Sequence, residues 1–337
     1  MVTRKTPGLG TWPRFAAISF LLCIVFQVAF GQDAPQPQTP QPQTPPALPQ
    51  PKPVQPPATA QPAPQSLSGK PIVPASAERH YNAAVAFERD GNSENAIEEY
   101  RAAIKDYPDY FDAHYNLGRL YLDKQGYNEA VTELKTAVML RPNDANAHNN
   151  LGLALKHSRD LNGAQGQYQE AVRLNPKMAS AQNNLANVLY LKRDYNGAIE
   201  HYHAALALQP KDKLTDQDRN NIANIHMNLG SVLDDAGRPD EAIAEYREAI
   251  HLQPKNANAH YNLAIVYQKK KDMTSAIAEL KLAARLAPDW PTPHIMLTNM
   301  LKDSDPRAAL DQCVVADGLT QDAKLHDLCQ ELQKKIH

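Results

Sequence analysis

From residue 77 to about residue 290, apolar side chains recur at i, i+3, i+4 and i+7, the spacing of amphipathic helices. The pattern itself repeats. Prolines fall at Pro108, Pro142, Pro176 and Pro210, each 34 residues apart, and after a gap of 44 they continue at Pro254 and Pro288. Twelve residues before each proline stands an alanine: Ala96, Ala130, Ala164, Ala198, Ala242 and Ala276. Five residues before it stands another: Ala103, Ala137, Ala171, Ala205, Ala249 and Ala283. Between the two lies a large residue: Tyr100, Leu134, Tyr168, Tyr202, Tyr246 or Leu280. Ala84, Gly118, Gly152, Ala186, Gly230 and Ala264 stand twenty-four residues before each proline.

Small residues let two helix backbones approach, and the large residue fills the space beside them. The proline ends the second helix and opens the next unit. A helix pair of this kind cannot bury its apolar face alone, so neighbouring pairs must stack. Six full units are predicted, at 77–110, 111–144, 145–178, 179–212, 223–256 and 257–290. The extra residues 213–222 contain Leu214 and Thr215-x-x-Asp218, a hydrophobic staple and capping box, so they are read as an N-terminal extension of the next helix. Residues 291–316 predict a shortened seventh pair whose second helix starts at Asp305-Pro306, and 320–336 predict a last, capping helix.

These residues resemble the tetratricopeptide repeat family over about 77–316. The resemblance implies an all-α, right-handed α-solenoid of about seven helix pairs, closed by a C-terminal capping helix at 317–337; the Pro-rich composition of 32–76 predicts a disordered tether before it. The chain departs from the family at the fourth position of its units, where an aromatic is replaced mostly by histidine. The strings 147–152 (Ala-His-Asn-Asn-Leu-Gly) and 181–186 (Ala-Gln-Asn-Asn-Leu-Ala) are similar to the repeat superhelix of the O-linked N-acetylglucosamine transferases, whose catalytic part has no counterpart here.

Asn82, Asn116, Asn150, Asn184, Asn228 and Asn262 recur at the sixth position of all six units. Asparagine is a poor residue for a helix interior, so its persistence asks for a reason. The resemblance implies that this position faces a concave groove, where a side-chain amide, both donor and acceptor, can hold the backbone of an extended peptide. The alternative is that asparagine only packs within the repeat. At the fifth position stand Tyr81, Tyr115, Asn149, Asn183, Met227 and Tyr261, and at the second Glu78, Asp112, Asn146, Ser180, Asn224 and Asn258. Lys and Arg are scarce at these positions, which disfavours the clamp for C-terminal carboxylates used by chaperone-binding members of the family and points to a fairly neutral, extended segment.

Histidines His80, His114, His148, His226, His260 and His294 share the fourth position. Equivalent residues of stacked helices lie about 10 Å apart, whereas zinc ligands sit about 2 Å from one ion. The series is therefore read as partly buried packing residues, and His201-x-His203, whose rings diverge on a helix, is set aside too. The sequence holds no P-loop, GxGxxG, GxSxG or HExxH. No enzyme activity and no cofactor are expected.

The N-terminus changes the picture of where this solenoid works. Arg4, Lys5 and Arg14 precede an apolar run from Phe15 to Phe30, and Ala29-Phe30-Gly31 offers small residues for cleavage. Residues 1–31 are read as an export signal, with an uncleaved membrane anchor as the alternative because the run falls short of the roughly 20 residues a bilayer needs. Cys23 follows Leu22 and is not read as a lipid attachment site. Residues 32–76 carry fifteen of the 27 prolines and predict an extended spacer of about 140 Å at about 3.1 Å per residue, with a PxxP ligand as the alternative. The tether resembles those of bacterial periplasmic proteins. A net charge of -2 disfavours nucleic acid and anionic lipid as main partners, which leaves other polypeptides, or further copies of the chain. Cys313 and Cys329 lie on neighbouring helices; with a reversal at Gly318 they would miss each other by about 7.5 Å along the axis, so the register disfavours a bridge.

Overall fold

The computed structural model describes residues 73–336. The export signal, Cys23 and all but the last residues of the tether lie outside the described residues.

Helices follow one another in antiparallel pairs. The first two pairs are α1 (Ala75–Arg89) with α2 (Ser93–Asp106) and α3 (Phe111–Asp123) with α4 (Tyr127–Leu140). Then come α5 (Ala145–His157) with α6 (Leu161–Leu174) and α7 (Ala179–Leu191) with α8 (Tyr195–Ala207). They continue as α9 (Asp216–Asp235) with α10 (Pro239–Leu252) and α11 (Ala257–Lys269) with α12 (Met273–Leu286). The chain closes with α13 (Pro291–Leu301), α14 (Pro306–Thr320) and α15 (Ala323–Ile336). The described residues are all-helical, as the periodicity implies, and form a solenoid.

Local chemistry sets the breaks. Side chains of Asn92, Asp144, Asp160, Asp194, Asn256, Asp272 and Asp305 accept the backbone N–H three residues on and so start their helices. The fifteenth residue of every unit turns the chain in the left-handed region. Gly91 and Gly237 do so without cost, but Gln125, Arg159, Arg193 and Lys271 adopt the same φ, between 61° and 66°. At the insertion Thr215 and Asp218 close a full capping box, and α9 runs for 20 residues as one helix. The residue one turn on from Leu214 is Arg219, so the expected staple has no apolar partner at that place.

The small and large repeat positions form the core. The two alanines of each of the six full units are fully buried, as are Tyr100, Leu134, Tyr168, Tyr202 and Leu280 between them. Close approach explains the glycines: a Cβ on Gly152 would lie 2.7 Å from the Tyr168 ring, and one on Gly118 2.6 Å from Leu134. One apolar cluster runs from Ala77 to Ala276, and a second joins Ala264 and Leu280 to the C-terminal helices.

The tail corrects one expectation. Gly318 does not reverse the chain, because α14 continues through it to Thr320 and the turn is made by Gln321, whose φ is 54°. Folding back about residue 321 instead of 318 sets Cys313 opposite Cys329. Their Cα atoms are 5.6 Å apart and the two are joined in a disulfide. The cap is therefore stapled, contrary to the register argument from sequence.

Candidate functional site

Consecutive first helices touch: α3 meets α5, α5 meets α7, α7 meets α9, and α9 meets α11, while no two consecutive second helices are comparably close. The first helices thus line the inner, concave wall. Side chains at the fifth, sixth, ninth and twelfth positions meet across consecutive first helices and so fall along it.

The sixth-position amides sit on this wall and reach back one unit. Asn116 Nδ2 donates to the Tyr81 hydroxyl at 3.0 Å, and Asn150 Nδ2 to the Tyr115 hydroxyl at 3.0 Å. Asn184 Nδ2 donates to Asn149 Oδ1, also at 3.0 Å. Fifth and sixth positions are therefore one system here, these three amides bridging to the fifth-position residue of the unit before. The series changes where the ten residues are inserted: Asn228 Nδ2 donates at 3.3 Å to Asn187 Oδ1, a ninth-position residue. Asn82 and Asn262 make no side-chain hydrogen bond among the described residues. A bridging amide keeps its second N–H and most of its acceptor capacity, so the wall retains hydrogen-bonding groups after the solenoid is built. Asn183 is half-buried, and its Oδ1 is buried with no partner.

The ends of the groove are aromatic. The rings of Tyr81 and Tyr110 are 5.1 Å apart, Phe111 stacks on Tyr115 at 5.7 Å, and Tyr261 leans on Trp290 at 4.7 Å. Arg141 lies over Phe111 at 3.8 Å and donates twice to Asp112, both at 3.1 Å. Burial raises the pKa of the Tyr81, Tyr115 and Tyr261 hydroxyls, so they meet any ligand as neutral donors and acceptors.

The fourth-position histidines turn away from the groove to bind structure. Nδ1 of His80, His114, His226 and His260 lies 2.6 Å from Glu99, Glu133, Glu245 and Glu279 on the second helix of the same unit. His148 and His294 use Gln167 and Gln312 in the same way, at 2.7 and 2.8 Å. On the other side of the ring, Nε2 of His114, His148 and His260 bonds the carbonyl of Pro108, Pro142 and Pro254. In the fourth unit the roles exchange: His201 bonds Gln182, whose amide donates to the Pro176 carbonyl. The histidines are packing residues, as read from sequence, and each pins its helix to its partner helix. The missed signal was the polar residue nineteen positions on in the full units, eighteen in the shortened one, which recurs with the repeat. Among the described residues no group of three or more His, Cys, Asp or Glu is placed to hold a metal ion.

His260 carries a pH prediction. The Glu279 carboxylate raises its pKa above the ordinary histidine value, against burial, with help from the Pro254 carbonyl. A raised folded pKa contributes stability that is fully present below about pH 6.5 and lost as pH rises through the folded value. The melting-temperature gap between the native chain and His260→Gln is therefore expected to be larger at pH 6 than at pH 8.5. A gap that widens with pH would contradict the pin.

Tetratricopeptide repeat profiles match residues 90–125, 118–157 and 230–271, residues 156–213, and residues 257–289. Together they cover more than half of the chain. The chain belongs to the tetratricopeptide repeat family. No curated protein is similar enough to serve as a relative. Among solved structures, the C-terminal part of a TPR repeat-containing protein from Cytophaga hutchinsonii superposes with a TM-score of 0.59 at 14% identity, covering 74% of this chain and 98% of that one. A tetratricopeptide repeat protein from Parabacteroides merdae gives 0.55 at 15% identity, over 77% and 100%. Pseudomonas aeruginosa PilF gives 0.53 at 20% identity, over 67% and 97%. These likenesses show the fold. The narrower likeness to the O-linked N-acetylglucosamine transferase superhelix rests on the two sequence strings alone. The tetratricopeptide fold supports a role as a protein–protein interaction scaffold.

Proposed function

We propose that this protein is a non-catalytic adaptor that holds an extended polypeptide in its concave groove, and that it works in the bacterial cell envelope. The observation that carries the groove reading is the row of sixth-position amides along the inner wall, four of which spend one N–H on a bridge to the unit before and keep further hydrogen-bonding capacity. Such groups recognise a peptide backbone whatever its side chains. The aromatic ends supply flat apolar surface for side chains of the same ligand.

Two features support the envelope. One is the charged and then apolar N-terminal sequence. The other is the Cys313–Cys329 bridge, a bond that persists in oxidising compartments and is rare in the cytosol. Among the described residues no helix is long and apolar enough to cross a membrane. Any anchorage would therefore fall to residues 15–30.

The test compares the full-length chain with a variant carrying Asn150→Ala, Asn184→Ala and Asn228→Ala, both checked for helicity. The native chain is expected to retain a defined envelope protein that the folded variant loses by at least about tenfold, in line with several lost hydrogen bonds. Equal retention by both would reject the groove. A second reading, self-association, is favoured by Val314, Val315 and Leu319, large apolar residues exposed on α14. It predicts a concentration-dependent mass that Val315→Glu abolishes and the asparagine variant leaves intact.

A further inference from the structure

Four of the six full units have a tyrosine between the two core alanines, Tyr100, Tyr168, Tyr202 and Tyr246, and in three of the four its hydroxyl finds an acceptor on the first helix. Tyr100 donates to Glu88, a twelfth-position residue. Tyr202 donates to Asn187 at 2.6 Å, and Tyr246 shares a bond of 2.9 Å with Ser231, both ninth-position residues. Tyr168 is placed in the same way, with its ring against Gly152 as the Tyr246 ring lies against Gly230. Its hydroxyl is nevertheless buried with no partner. The two residues that stand where the acceptors should be are Leu153, which has no polar group, and Lys156, which can only donate.

Lys156 is the second half of the anomaly. Of its five twelfth-position counterparts, Leu122 and Gln268 are uncharged, and the other three are partnered across neighbouring first helices: Glu88 by Arg119 at 2.7 Å, Tyr190 by Asp235 at 2.7 Å, and Asp234 by Lys269 at 2.6 Å. Lys156 is half-buried and makes no hydrogen bond or ion pair among the described residues. Burial without a counter-charge lowers its pKa below the ordinary lysine value. Helices α5 and α7, the middle of the inner wall, contain no Asp, Glu or Arg and no other Lys. On the flanking α3, Asp123 already faces Arg119, and on α6 Glu170 is held by Arg173. On the α7 side the residue equivalent to Arg119 is Asn187, already an acceptor for Tyr202 and Asn228. A cation and a hydroxyl are thus left without an acceptor at one register of the groove.

We propose that Lys156, with the Tyr168 hydroxyl behind it, receives the carboxylate side chain of an Asp or Glu inside the bound polypeptide. A side chain is meant, because amide-lined wall continues on both sides of Lys156, from Asn82 to Asn262, and a chain lying in it passes through this point. The inference rests on the groove reading above and assigns its central specificity. It adds one acidic side chain to the fairly neutral segment expected from sequence, read by a twelfth-position residue outside the second and fifth positions considered there.

Three pools of short peptides, acetylated and amidated so that no terminal charge remains, separate the two claims. Their flanks are degenerate mixtures of Ala, Ser, Thr, Asn, Gln and Pro, and their central residue is Glu, Gln or Lys. The immobilised full-length chain is expected to retain the Glu pool about tenfold better than the Gln pool, the scale of one charge-assisted hydrogen bond, and the Lys pool least. Lys156→Gln should bring the Glu and Gln pools level without reducing retention of the Gln pool. Tyr168→Phe should narrow the ratio while keeping the order. Pools that bind the native chain equally, or a Glu preference that survives in Lys156→Gln, would overturn the carboxylate point and leave the groove standing. Failure of the native chain to retain any pool would remove the groove and this inference with it.

Discussion

Tyr202→Ala is expected to destabilise the centre of the solenoid by about 3–5 kcal/mol, the cost of deleting a fully buried aromatic ring. The ring is completely enclosed, and its hydroxyl donates to Asn187, which also accepts from Asn228. Asn187 therefore joins the fourth unit to the fifth across the ten-residue insertion, where the regular amide bridge is missing. In a stack where each unit touches only its neighbours, loss at this joint weakens the coupling between two blocks. Denaturant unfolding followed by circular dichroism should split from one transition into two. Tyr202→Phe, which keeps the ring, should lose only about 1 kcal/mol and remain cooperative. A Tyr202→Ala chain within about 1 kcal/mol of native would show that the joint is held elsewhere.

Reduction of the Cys313–Cys329 bridge is expected to cost the cap about 3 kcal/mol, from the loop entropy released to the unfolded segment by a separation of 16 residues. Helix α15 packs on α14 and buries Leu325, Cys329 and Leu332 there. Two leucines and the bridge are a small anchor for a 14-residue helix. Opening should be local: amide exchange over 323–336 rises about a hundredfold on reduction, or in Cys313→Ala with Cys329→Ala, while the first units keep their protection. Unchanged exchange in the tail would mean that packing alone holds it. Uniformly faster exchange throughout would mean that the cap is coupled to the whole stack.

Much of the architecture was legible because a solenoid is nearly one-dimensional. Contacts lie within a unit or with the next one, so a 34-residue period carries both the helices and their packing partners. Ala164, Tyr168 and Ala171 could be placed in the core from spacing alone, and Thr215 with Asp218 announced the long α9. The left-handed turns at Gln125, Arg159, Arg193 and Lys271 gave no such warning, since none is a glycine. All four are exposed, and what closes each turn is a backbone bond across it, such as Gly126 N–H to the Tyr121 carbonyl at 2.8 Å and Asp160 N–H to that of Leu155 at 2.9 Å. The C-terminal reversal was misplaced by three residues for a related reason. Gly318 looked like a helix end, but the helix kept its hydrogen bonds and turned at Gln321.

By itself, then, the sequence determined the repeat, its core and the row of amides on one helix face, because these follow from periodicity and side-chain size. Only the tertiary structure decided what each polar group meets: a tyrosine of the preceding unit for Asn116 and Asn150, a glutamate on the paired helix for His114, a disulfide partner for Cys313 and no counter-charge for Lys156. Those outcomes turn on distances of a few ångströms between helices. A spacing along the chain specifies which helix faces which, and a shift of three residues, less than one helical turn, is enough to change the partner.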